Sequence, residues 1–477
     1  MVRKGLRQGC TLSPLLFNIY INDVMDGWEG IKVPGVGEKF QGLLFADDLC
    51  FAADSPQNLQ ESLDWITKWS DHWKMFLGHM KCGVLPHNTA EPRDVTWIAQ
   101  GEEIPLVDSY RYLGVILDTR MSVTNIAKHR ELALKASLGA SKAFLSSKSI
   151  PLMIRLTLLK ALALPIATYG AEAFGMNQEN CRKMTSFIAG WLRRLIGRQP
   201  RSPVALTTLS RELGVPIFHA AASARRARIL YKLPTLSTWG KTLWSEVTHT
   251  PKRTPITQGR VWLRTRKMPD SGNPKELSVE VRSKVTASHE SANSSLSLSR
   301  YIEHNFQSTR RYIKRAAIYP EIGRGLDWLI QARVDGFWDT KKAVRLLIPR
   351  RGRAGSCPLC LEKMKMTDIA HLLLECESLD SERDEILSRT ISDIKVLVSP
   401  SDGVLTEQHC PILLGGEVNG GVGLGKTWVD VRRMNSRETL VPHWVQVAKF
   451  LRLAVPRYYG GWPDIFRAPA ANAQGIG

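Results

Sequence analysis

An α+β or α/β N-terminal segment, followed by a mainly helical basic region and a small cysteine-histidine module, is the fold class this sequence predicts. Three observations carry that expectation. Short apolar runs alternate with helical patterns up to about residue 122, helical periodicity and arginine then dominate to about 235, and Cys357, Cys360, His371 and Cys376 cluster far downstream.

The 477 residues are enough for two or three domains. Hydrophobic residues at 43% and charged residues at 23% are near the globular norm, so most of the chain is expected to fold. Lys and Arg number 65 against 45 Asp and Glu, and the resulting net charge of +20 attracts polyanions. Nucleic acid is therefore the expected partner, ahead of acidic protein or membrane surfaces. Eight scattered cysteines are not the dense framework of a small secreted domain and fit a reducing compartment. No signal-peptide pattern or long apolar run occurs, so neither secretion nor a membrane span is expected, and the location is read as nuclear or cytoplasmic.

The elements follow in order. Ser13-Pro14 signals a helix start, with Leu16, Ile19, Tyr20 and Asp23 at helical spacing. Residues 41–53, QGLLFADDLCFAA, hold two apolar runs around Asp47-Asp48, as a hairpin with carboxylates at its tip would. Ser55-Pro56 repeats the start signal, and Leu59, Leu63, Ile66, Trp69 and Trp73 make an apolar stripe for a second amphipathic helix. Residues 110–118, YRYLGVILD, read as a further strand. Arg193, Arg194, Arg198 and Arg201, then Arg225, Arg226 and Arg228, together favour a surface that binds a nucleic-acid backbone, although each cluster alone reads equally as a solvated helix face. Residues 283–299 are Ser-rich and are expected to be a flexible linker. Beyond it come a basic helical stretch (Arg310, Arg311, Lys314, Arg315), the Cys/His cluster, and a Gly/Pro-rich tail whose last residues look disordered.

Two adjacent aspartates at a bend repel one another, and a divalent cation gives them a reason to be there. Mg²⁺ takes hard oxygen ligands, often one or two carboxylates with substrate phosphates. A bare Asp-Asp pair is more often a solvated turn, but its context is specific. RQGCTLSPLLFNIYIND (7–23), FADDLCFAA (45–53) and YRYLGVILD (110–118), in this order, resemble consecutive motifs of the reverse transcriptases of non-LTR (LINE-type) retrotransposons. The resemblance implies an antiparallel-sheet polymerase palm over 1–122, entered at the RQG motif, and a thumb-like helical region over 123–282. The 283–299 linker, a basic region with a zinc element over 300–400 and a tail over 401–477 complete the expected organisation. LPIATYGAEAF (164–174) looks like the thumb segment, and GVPIFHAAASARRARIL (214–230) resembles the basic helix after it.

By the same resemblance Asp47 and Asp48 are the catalytic Mg²⁺ ligands, and Arg7, Gln8, Gly9 and Ser13 contact the templating base and incoming nucleotide. Glycine at position 9 suits a close backbone approach. Lys81 resembles the lysine near the triphosphate, and Leu113 and Gly114 fall in what resembles the primer-grip hairpin. The implied activity is RNA-directed DNA synthesis, with an RNA template, a DNA primer and deoxynucleoside triphosphates as partners. A two-metal site needs a further aspartate from an earlier strand, which this family places upstream of the RQG segment. Met1 stands six residues before Arg7 and Asp23 is read as helical, so the chain alone is expected not to extend a primer. Measurable extension by residues 1–477 with Mg²⁺ would refute that expectation. The alternative is a non-catalytic nucleic-acid-binding remnant of such an element.

The spacing Cys357-x2-Cys360-x10-His371-x4-Cys376 offers three thiolates and an imidazole, a set that Zn²⁺ binds tetrahedrally. It also resembles the zinc element downstream of LINE-type polymerases. A structural role is expected, with Arg350, Arg351 and Arg353 just upstream against phosphates. Residues 420–427, GGVGLGKT, satisfy a phosphate-loop pattern. Extra glycines and the lack of a later apolar strand ending in Asp instead favour a flexible loop.

Overall fold

The computed structural model describes residues 5–7, 9–33, 37, 39–87, 95–246, 254–292, 295–309, 312–319, 322–334, 356–362, 368–398, 404–415 and 443–460. Small antiparallel strand pairs lie between residues 31 and 118, alongside two helices, and helices dominate the rest, an α+β architecture. The chain forms two compact units, residues 1–130, 170–180 and 223–279 in one and 131–169, 181–222 and 280–477 in the other. Among the described residues no helix is long and apolar enough to cross a membrane.

In the first unit, helix α1 (Ser13–Tyr20) starts where Pro14 predicts, but Ser13 does not cap it. Its hydroxyl donates to the Arg7 carbonyl at 2.8 Å, folding the preceding turn back on the helix. The helix ends at Tyr20, so Asp23 lies in the turns that follow and not on the helix. None of α1 is buried, and Leu12, Leu15, Leu16 and Ile19 face water.

Four two-stranded antiparallel pairs follow: β1 (Ile31–Lys32) with β2 (Lys39–Phe40), β3 (Gly42–Phe45) with β4 (Asp48–Phe51), β5 (Trp97–Ala99) with β6 (Glu102–Ile104), and β7 (Ser109–Tyr112) with β8 (Val115–Asp118). The segment 110–118, expected as one strand, folds as a hairpin of two short strands because Leu113 and Gly114 both take positive φ, +46° and +76°. That pair of angles suits a two-residue reverse turn.

Helix α2 (Pro56–His72) begins at Ser55, whose side chain accepts from the Asn58 amide. Its predicted stripe packs as expected. Leu63, Ile66 and Trp69 join Ile21 and Val24 in one cluster, and Leu59 packs against Trp97, Ala99 and Ile104. Burying an Ile or Leu side chain in such a cluster contributes about 1.5–3 kcal/mol. Trp73, at the end of the stripe, is only partly covered and meets Tyr20 edge-on with ring centroids 5.1 Å apart. Gln100, at the bend between β5 and β6, ties that hairpin to α2: its amide donates to Ser70 Oγ and Asp71 Oδ1 at 2.9 and 2.8 Å.

Later in this unit Ser223 donates to the Gly175 carbonyl, Arg225 pairs with Glu172, and Arg226 donates to the Pro255 carbonyl. Arg226 is thus buried in packing, whereas Arg228 faces water.

The second unit is helical. It contains α3 (Lys142–Ser146), α4 (Leu152–Thr168), α5 (Leu206–Leu213) and α6 (Leu296–Glu303), among others. The serine-rich stretch expected to be a linker over 283–299 is instead mostly helical, lying within Pro274–Ala292 and the start of α6. Val281 and Val285 bury on one face and Lys284 pairs with Glu280 one turn earlier, which outweighs the low helix propensity of serine. The expected tail over 401–477 also contains a helix, His443–Gly460, which packs on Gly323–Arg333 and Asp380–Val398. Trp444, Val447, Phe450 and Leu451 recur at helical spacing there and are buried.

At the centre of this unit the Glu212 carboxylate accepts from Tyr301 at 2.6 Å, from Tyr312, and from Arg333 at 2.8 Å, with both charged groups fully enclosed. Arg333 spends its other donors on the Phe306 and Leu414 carbonyls. Residues 420–427, Arg310, Arg311 and the arginines at 350, 351 and 353 lie outside the described residues.

Candidate functional site

The acidic bend is built by the register of one hairpin. Phe45 stands opposite Asp48, Leu44 opposite Leu49 and Leu43 opposite Cys50, leaving only Ala46 and Asp47 to turn the chain. Ala46 takes φ +52°, a left-handed conformation that costs an L-residue about 1–2 kcal/mol. Both carboxylates are exposed, and neither hydrogen-bonds nor pairs with a described residue. Two adjacent uncompensated charges on hard oxygen donors suit a divalent cation, and Asp47 and Asp48 fit as two of its ligands.

Two phenols of β7 sense this bend. Burial lifts Tyr110 above the ordinary range, with the charges of Cys82, Asp48 and Cys50 adding to it. Burial likewise lifts Tyr112, with Cys50 and Asp48 adding. The Tyr110 hydroxyl donates to the carbonyl of Lys81, in the short turn His79–Lys81. Lys81 itself points to solvent. The buried Tyr112 hydroxyl has no hydrogen-bond partner among the described residues.

Arg7, Gly9 and Ser13 form one local turn, closed by Cys10 and Ser13 amide bonds to the Arg7 and Cys10 carbonyls. Gly9 takes φ +86°, which a side chain would resist, and nothing lies within 4 Å of where a Cβ would stand. Gln8 lies outside the described residues. No hydrogen bond or ion pair joins the described part of this turn, or the Lys81 side chain, to the aspartate pair.

In the second unit Cys357, Cys360, His371 and Cys376 converge, their donor atoms all within 4.8 Å of one another. Cys357 Sγ and Cys376 Sγ are 3.9 Å apart, and Cys360 Sγ is 3.4 Å from His371 Nε2. Tetrahedral zinc with bonds of about 2.0–2.3 Å places its donors roughly 3.5–3.8 Å apart, close to these two pairs, and three thiols with one imidazole are donors of the right kind, so the set fits zinc after a small contraction. Local folding explains the convergence. The CPLC turn closes through the Leu361 amide on the Cys357 carbonyl and the Cys357 amide on the Glu362 carbonyl, at 3.0 and 2.8 Å. His371 sits on the helix Asp368–Leu374, and the Cys376 amide returns to the His371 carbonyl at 2.8 Å. The hydrogen bond with Cys376 holds the Cys357 thiol down at about 4, and the same bond pushes Cys376 up.

Sequence reasoning missed two supporting residues. Glu375 Oε2 lies 3.5 Å from His371 Nδ1 and orients the ring from outside the ligand set. The buried Arg383 donates to the Cys376 carbonyl at 2.7 Å and to the Leu373 carbonyl at 3.2 Å, holding the end of the ligand helix. The spacing of Glu375, four residues after His371, was the available signal.

Residues 1–117 match the family described as reverse transcriptase (RNA-dependent DNA polymerase). The chain is 27% identical over 210 residues to a probable RNA-directed DNA polymerase from transposon X-element of Drosophila melanogaster, covering 41% of this chain and 22% of that protein. It is 22% identical over 227 residues to the RNA-directed DNA polymerase from mobile element jockey of the same fly, covering 45% of this chain and 24% of that protein. A third relative is the retrovirus-related Pol polyprotein from type-1 retrotransposable element R2 of Popillia japonica, 26% identical over 191 residues, with 37% of this chain and 29% of that protein covered. The match thus spans less than a third of the length of each of these three relatives.

Proposed function

We propose that this chain, which resembles the RNA-directed DNA polymerases of non-LTR retrotransposons, carries part of such an enzyme's DNA-synthesising centre. The observation that carries the reading is the two-residue bend that presents Asp47 and Asp48 side by side, exposed and unpaired, within the segment that matches the family. In this reading the two carboxylates hold Mg²⁺ at the primer end. The metal, when bound, neutralises charge on the phosphates undergoing transfer. Arg7, Gln8, Gly9 and Ser13 meet the template and the incoming deoxynucleoside triphosphate, and Lys81 approaches its phosphates. The Cys357, Cys360, His371 and Cys376 set holds a structural zinc. RNA template and DNA primer are the partners, and the net charge of +20 favours both.

A chimaera tests the palm assignment. Residues 1–117 replace the matching segment of the X-element polymerase, and primer extension on an RNA template is measured with Mg²⁺. Extension that disappears on Asp47→Asn supports the reading. Equal extension by the Asn variant overturns it.

A further inference from the structure

We propose that the cavity at the N-terminus of α5 binds a phosphate group of a nucleic-acid backbone. This helix, Leu206–Leu213, begins after Ala205 with no side chain capping it. Alanine is among the poorest residues at that position, and helix geometry leaves the first-turn amides without intrahelical acceptors. The uncapped end opens on a cavity of about 540 Å³.

Thr207 lines that cavity, is 4% exposed, and its hydroxyl has no hydrogen-bond partner among the described residues. Arg193 and His289 also line it, and among the described residues no carboxylate does. Arg193 donates from Nε and Nη2 to the Val204 carbonyl and from Nη1 to the Pro200 carbonyl, at 3.1, 2.8 and 3.1 Å. Those bonds fix the loop that leads into the helix and leave two guanidinium hydrogens for a ligand. Amide hydrogens at a helix start, a buried hydroxyl without a partner and a guanidinium, with no opposing negative charge, are the donors a phosphate monoanion or diester collects. A small neutral ligand would not use the positive field.

Assigning the phosphate to nucleic acid rests on the polymerase reading, so the experiment separates the two. Two variants of the full chain are made at the cavity. Ser186→Glu places a negative charge at an exposed position on its lining, and Thr207→Val removes the unpartnered hydroxyl while keeping its shape. Ser388→Glu, an exposed position on the helix Asp380–Val398, is the charge-matched control. The probes are inorganic phosphate, followed by ³¹P line width, and a fluorescein-labelled RNA–DNA duplex, followed by anisotropy across a salt series. Wild type and Ser388→Glu are expected to broaden the phosphate signal, and Ser186→Glu to abolish the broadening. Ser186→Glu is expected to weaken duplex binding about tenfold and to reduce the salt slope by about one. Thr207→Val is expected to weaken both probes while leaving thermal stability equal or higher, a split that a purely structural hydroxyl would not give.

Phosphate broadening that survives Ser186→Glu overturns the site. Equal loss of duplex binding in Ser186→Glu and Ser388→Glu also overturns it, because net charge then explains the effect. Phosphate binding that is lost in Ser186→Glu while wild type ignores the duplex overturns the nucleic-acid assignment of this cavity, whereas the polymerase reading stands or falls separately on the Asp47→Asn chimaera.

Discussion

The hydroxyl of Tyr110 donates to the backbone carbonyl of Lys81. Through that bond the hairpin of β7 and β8, whose phenol already feels the charge of Asp48, holds the turn that carries the lysine. Tyr110→Phe is expected to cost about 1 kcal/mol, the usual net worth of one hydrogen bond. Urea denaturation of both proteins measures it, and an unchanged midpoint would show that the bond holds nothing.

The bend at Ala46 makes a second expectation. Glycine accepts φ +52° without the alanine penalty, so Ala46→Gly should raise stability by about 1 kcal/mol. Ala46→Val should lower it, since a β-branched residue tolerates the conformation least. Paired melting curves decide this, and a less stable glycine variant would contradict the conformation.

Zinc content is directly measurable. Elemental analysis of the purified chain should find one zinc, and Cys357→Ser should remove it. Glu375→Gln, at a carboxylate 3.5 Å from His371 Nδ1 and outside the ligand set, should lower zinc affinity about 10–100-fold while leaving the stoichiometry intact at saturating metal. A full-strength site in the glutamine variant would show that Glu375 is a bystander.

Breaking the enclosed pair of Glu212 and Arg333 should be costly. Arg333→Met leaves a carboxylate buried without its cation, and the loss expected is about 3–5 kcal/mol. Chemical denaturation should show it as a large drop in midpoint. A drop under about 1 kcal/mol would mean that the two tyrosines and penetrating water compensate.

Acid should destabilise the second unit through His443. Burial lowers its pKa below the ordinary 6.5, with Asp393 pulling the other way. The unfolded chain then binds the proton more readily than the folded one. Stability from the neutral ring is complete above about pH 6.5 and is lost as pH falls through the lower folded value. His443→Gln should flatten the dependence of melting temperature on pH below 6.5, and an unchanged slope would assign the acid sensitivity elsewhere.

How much of this was legible beforehand depended on range. The stripe from Leu59 to Trp69 and the cap at Ser55 are encoded within a few residues, and both are present where expected. The bend at Asp47 was readable because apolar runs flank it on both sides. Convergence of Cys357 with Cys376 followed from spacing and metal chemistry together. The hairpin of β5 and β6 was not read, because its strands are three residues long and the tether from Gln100 to α2 spans some 30 positions. Serine-rich composition misled at 283–299, since two buried valines one turn apart outweigh many exposed serines. The cavity at α5 was invisible for the same reason: it draws on segments from Thr185 to Ser295, and no local pattern announces it.

Helix α1 exposes Leu15 at 57%, Leu16 at 49% and Ile19 at 65%. Side chains that greasy on one short helix make the isolated polypeptide adhesive. Its handling in solution should therefore be governed by self-association: clarity at low concentration, turbidity on concentrating or adding sulfate, and recovery with mild detergent.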